Sequence, residues 1–150
     1  MRLLIAFALV LALAGLAYLA GRARAQRLTL AGGSRIGAVH SRPVYHGTYV
    51  AVLALAPALI LLVSWLVMGE GVIEGQVLAT LDAASLPAPG PDRASLMNEV
   101  RGLVAGDLPQ AFNPLAPVLA PHYAATKANF DLLAGAMAVA LVCMGGLWGY

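Results

Sequence analysis

Three stretches without a single charge dominate this sequence: Leu3–Ala20, Thr48–Met68 and Leu132–Tyr150, of 18, 21 and 19 residues. As helices rising 1.5 Å per residue they measure roughly 27 to 32 Å, the thickness of a bilayer's hydrocarbon core. One ionised group at the centre of a membrane helix costs about 2.5–3.5 kcal/mol on insertion scales, so three runs this long and this free of charge mark membrane spans. Composition agrees, with 61% of the residues hydrophobic and 11% charged, where soluble domains average about 45–50% and 25%. The fold class expected is an all-α membrane protein of three transmembrane helices, with an outer loop containing a short amphipathic helix.

The charges sort by sign. Arg22, Arg24, Arg27, Arg35 and Arg42 lie between the first two runs with no acidic residue among them, a local +5. Between the second and third runs Arg93, Arg101 and Lys127 face seven acidic residues, a local −4. The positive-inside rule makes the first of these segments cytoplasmic. The organisation expected is therefore a first transmembrane helix at 1–21, a basic cytoplasmic loop at 22–47, a second helix at 48–69, a periplasmic loop at 70–130 and a third helix at 131–150. The amino terminus is then periplasmic. Pro57 is expected to kink the second span. No basic residue follows Trp148 and Tyr150, an aromatic pair of the kind that sits at a membrane surface, so the chain is expected to continue.

The first run has a rival reading as a cleaved secretory signal, with Ala23-Arg24-Ala25 before Gln26 as an A-x-A site. Its apolar core exceeds the usual length and its flank is positively charged, which weigh against cleavage.

Within the outer segment, Leu86-Pro87-Ala88-Pro89-Gly90-Pro91 breaks any regular element. Leu96, Met97, Val100, Leu103 and Val104 then recur at helical spacing, predicting an amphipathic helix over 93–105 with Asp92 as its N-cap. Gly102 costs that helix about 1 kcal/mol relative to alanine, so it needs a surface to lie on. Pro109, Pro114, Pro117 and Pro121 argue against a long helix after Asp107. Asp131 is expected at the start of the third helix, where its charge suits the dipole.

Little here carries catalysis. His40 and His46 share the basic loop with no acidic or cysteine ligand, so no metal site and no cofactor is expected. Glu70 and Glu74 stand four apart, and their position at a water-exposed boundary makes a solvated helix end the default reading. Cys143 reads as a small apolar residue. No serine has a nucleophile-elbow context, and Ala31-Gly32-Gly33-Ser34 lacks the lysine and spacing of a phosphate-binding loop. A net charge of +2 is too small for nucleic-acid binding. The arginines Arg22, Arg24 and Arg27 read first as a topology signal, and second as a site for anions or lipid head groups of the surrounding bilayer. Gly145 and Gly149 form a G-x-x-x-G on which another helix can pack closely.

The order of features resembles the amino-terminal region of the PstC-type permease of bacterial phosphate ABC transporters. The likeness rests on Gly21-Arg22-Ala23-Arg24-Ala25 after the first span and on His40-Ser41-Arg42-Pro43-Val44-Tyr45-His46-Gly47-Thr48-Tyr49 leading into the second, with Pro57 and Trp65 inside it. The resemblance implies an accessory part of an inner-membrane permease importing inorganic phosphate. It also implies as partners a second permease subunit, a cytoplasmic ATPase dimer and a periplasmic phosphate-binding protein. ATP hydrolysis would belong to that partner, and no transport residue carries over. Two other readings stand beside it. One is a stand-alone three-helix structural or interaction subunit of another bacterial membrane complex, in which Gly145 and Gly149 face a partner. The other is a membrane-anchored envelope protein whose signal peptide is cleaved.

Overall fold

A computed structural model describes residues 2–31, 43–82 and 85–150. Four helices follow in chain order: α1 (Arg2–Ala31), α2 (Pro43–Leu78), α3 (Pro91–Ala105) and α4 (Ala116–Gly149), and the described residues contain no strand. Three of them, α1, α2 and α4, are long and apolar enough to cross a membrane.

The helices outrun the apolar stretches that announced them. In α1 the arginine segment after Gly21 stays helical to Ala31, because arginine, alanine, glutamine and leucine are all good helix formers. Arg22, Arg24 and Arg27 are thus helical residues, and so are Pro43, Tyr45 and Gly47 in the first turns of α2. His40 and Ser41 lie outside the described residues.

The larger correction is at α4, which starts at Ala116 despite its prolines. Asn113 prepares the start: its Oδ1 accepts the Leu115 N–H at 3.0 Å and its carbonyl accepts the Ala116 N–H at 3.1 Å. Pro114 and Pro117 then fall where amide groups have no intrahelical acceptor, so their missing N–H costs nothing. Only Pro121 lies inside the helix. Asp131 accordingly sits in mid-helix and not at a helix start.

The chain divides into two compact units, one of residues 1–65 and 132–150, the other of residues 66–131. The first unit packs the three long helices through small side chains. Ala6 and Val10 of α1, Ala54, Ala58 and Leu62 of α2, and Ala138 and Val142 of α4 form one buried cluster. Small residues let helix backbones approach closely where lipid supplies no hydrophobic driving force. The closest approach is at Gly145, where a β-carbon would fall 2.5 Å from the Leu53 carbonyl oxygen and 2.7 Å from the Ala54 Cα. That carbonyl is the one Pro57, four residues on, leaves without an intrahelical donor. Proline in one helix and glycine in its neighbour thus meet at the same peptide group.

The second unit contains the end of α2, all of α3 and the start of α4. Helix α3 buries Leu96, Met97 and Val100, three of the five positions whose spacing predicted it. Its N-cap is Gly90, with Pro91 opening the helix, and Asp92 lies in the first turn without a side-chain cap bond. The prolyl ring already fixes the helical φ there and displaces the cap upstream. At the other end Gly106 adopts φ 81°. Its N–H reaches the Leu103 carbonyl at 3.2 Å, and the Asp107 N–H reaches the Gly102 carbonyl at 2.9 Å. This is the paired-bond pattern of a Schellman motif. Leu108 then folds back over Gly102, where a β-carbon would meet its Cδ1 at 2.6 Å. Gly102 therefore makes room for the chain that ends the helix.

Candidate functional site

The basic end of the first unit is built by three helices. Gly21 of α1 lies against Val50 of α2, a β-carbon there falling 3.0 Å from the Val50 Cγ2. Gly149 of α4 meets the same valine, 3.2 Å from its Cα by the same measure. Gly47 abuts α1: a β-carbon there would fall 2.8 Å from the Tyr18 carbonyl oxygen and 3.0 Å from its ring. Three glycines bring the helices together at one level, and the side chains around them are left to form a cleft of about 170 Å³.

Arg24 and His46 supply the polar groups of that cleft, and Tyr150 closes it. The Arg24 guanidinium carbon stands 4.6 Å from the centroid of the Tyr150 ring, within the range where a cation is attracted to the ring face. Its Nη1 donates to the Tyr150 carbonyl oxygen. Arg22 and Arg27 are exposed on α1 and line neither this cleft nor the groove beside it, and Tyr45 is exposed on α2. Of the residues singled out in sequence, then, Arg24 and Gly149 share a site, Gly47 supports it from the α1 crossing, and Arg22, Arg27 and Tyr45 stand apart. Gly145 lies four residues from Gly149, seated on α2 of the same chain.

Sequence reasoning missed a second constellation, in the unit of residues 66–131. Glu70 on α2 receives two donors from α4: the Tyr123 hydroxyl at 2.5 Å and the Lys127 ammonium at 2.5 Å. Lys127 also lies 4.0 Å from Asp131, one turn on. One turn along α2, Glu74 pairs with Arg101 of α3 at 2.7 Å. The two glutamates expected to form a solvated helix end thus tie α2 to α4 and to α3. A third, Glu99, accepts the backbone N–H groups of Phe112 and Asn113, each at 2.9 Å. It holds the turn that leads into α4. Only the i, i+4 spacing of Glu70 with Glu74 and of Lys127 with Asp131 was available from sequence, and it gives no hint of partners 27 to 57 residues away.

These groups orient helices. Every strong carboxylate here is met by a cation or by backbone amides, an arrangement suited to structure more than to acid–base chemistry. Among the described residues no cluster of three or more histidine, cysteine, aspartate or glutamate side chains could hold a metal ion.

In comparison with known families, the model of a family described as phosphate ATP-binding cassette transporter matches residues 7–147. It agrees with the resemblance to the amino-terminal region of a PstC-type permease. No curated protein and no solved structure matches the chain.

Proposed function

The chain belongs to the phosphate ATP-binding cassette transporter family, and on that premise we propose that it is the amino-terminal accessory membrane module of a permease importing inorganic phosphate. The observation that carries this reading is the extent of the family match, residues 7–147, which covers most of each of the three long apolar helices. The accessory role follows from charge. The apolar runs Leu3–Ala20, Thr48–Met68 and Leu132–Tyr150 contain no ionisable Asp, Glu, Lys or Arg, whereas ion pathways through membranes are marked by such groups. The module packs beside a transport core and lines no route for phosphate.

In this reading the basic segment faces the cytoplasm of a bacterial inner membrane and the acidic unit faces the periplasm. The partners are those of the family resemblance: a second permease subunit, an ATPase dimer in the cytoplasm and a phosphate-binding protein outside. The module itself hydrolyses nothing. The test is phosphate uptake at limiting external phosphate by cells in which this segment has been deleted from the permease gene, with membrane insertion of the remainder verified. Uptake is expected to fall; unchanged uptake overturns the assignment.

A further inference from the structure

The cleft at Arg24 does not stand alone. Beside it an open groove of about 440 Å³ runs between α1 and α4, lined by Leu13, Leu16, Ala17, Cys143 and Leu147 and bordered at its end by Tyr150. Tyr150 belongs to both cavities. An apolar trough on the flank of a membrane helix pair and a small chamber lined by an arginine and a histidine thus share one aromatic residue. The trough lies within the range of roughly 300–1,000 Å³ usual for ligand sites.

We propose that these two neighbouring cavities together bind one anionic glycerophospholipid, with an acyl chain in the groove and the phosphate of the head group at Arg24 and His46. Charge complementarity selects the occupant. The charged side chain that lines the chamber is the Arg24 guanidinium, and the surrounding segment of residues 22–42 has no acidic residue to neutralise it. Guanidinium offers five N–H donors in a planar fork that suits phosphate oxygens, and among the described residues the Tyr150 carbonyl engages one of them, through Nη1. A zwitterionic lipid fits the groove equally well but gains less at the chamber, because its ammonium offsets the phosphate charge. A free phosphate ion fits the chamber but leaves the groove unused. The site does not depend on what the permease carries.

The test is native mass spectrometry of the purified full-length protein, released from detergent after incubation with equal amounts of phosphatidylglycerol and phosphatidylcholine of the same acyl chains. Phosphatidylglycerol is expected to be retained preferentially. Arg24→Gln should lower that preference about fivefold, the equivalent of about 1 kcal/mol. Arg22→Gln removes the same charge from a residue lining neither cavity, and should leave the preference unchanged. Leu16→Trp, on the exposed wall of the groove, should reduce retention of both lipids. Helicity by circular dichroism separates each loss from misfolding. Equal retention of the two lipids by the unaltered protein overturns the proposal. So does an equal effect of Arg22→Gln and Arg24→Gln, which would mean diffuse attraction to the basic helix end. Displacement of phosphatidylglycerol by millimolar inorganic phosphate also overturns it, in favour of a free-anion site.

Discussion

Replacing Gly145 by alanine sets a single methyl group against three backbone atoms of α2, none of which can rotate away. The expected cost is about 1–3 kcal/mol of helix-packing stability, the usual range for overpacking. Gly71 and Gly75 of α2 make the contrast, since a β-carbon at either meets nothing within 4 Å. Alanine there should cost nothing and gain up to about 1 kcal/mol of helix propensity. Thermal unfolding of the three variants in detergent checks the ordering. In the other unit, Tyr123 is 2% exposed and its hydroxyl serves Glu70. Tyr123→Phe should destabilise by about 1 kcal/mol, because water reaching the partly exposed carboxylate recovers some of the loss. Arg101→Gln should cost less, since the Arg101–Glu74 pair has side chains 39% and 29% exposed and such pairs contribute about 0–1 kcal/mol. At this scale the sequence was a poor guide to pairing. A G-x-x-x-G spacing pointed to Gly145 and Gly149, but nothing local could name Leu53 and Val50 as what they touch.

Helix α3 shows how a short element survives next to apolar neighbours. Its termination depends on Gly106 at φ 81°, a left-handed conformation that costs an L-residue about 1–2 kcal/mol. Gly106→Ala should therefore lower the stability of this unit by about 1 kcal/mol, and amide hydrogen exchange should quicken first at Asp107 and Leu108, whose N–H groups bond back to Gly102. Uniform exchange along α3 in the variant would contradict that local origin. The apolar spacing of Leu96, Met97 and Val100 made this helix legible within two residues of its observed start. The lengths of α1 and α4 were not legible to the same degree. Polarity was read as the end of a helix at Arg22, although arginine and alanine favour helix. Prolines were read as breakers after Asp107, although Asn113-Pro114 is a helix-starting pair. In both places hydropathy reported where lipid stops, while the backbone followed propensity and capping.

For the whole molecule the segregation of charge is the organising fact, with every acidic residue between Gly69 and Asp131 and five arginines between Gly21 and Gly47. If the positive-inside rule governs insertion, a cysteine at Asp82→Cys should react with a membrane-impermeant maleimide in intact cells, and one at Arg35→Cys only after lysis. Cys143, the single native cysteine, is first replaced by serine, and the reverse labelling pattern would invert the topology. The three charge-free runs were enough to give the membrane class, because the cost of burying charge in lipid acts on composition alone. The cleft at Arg24 was not, because it depends on where three helices cross. One of those crossings bears on how such a sequence can change over time. Any base substitution that replaces glycine installs a larger side chain or a stop, so Gly145 has no amino-acid neighbour that keeps α2 and α4 at their present separation. A saturation library selected for function should deplete variants at this position more strongly than the same variants at Gly71, and the position would accept a larger residue freely only if α2 first moved.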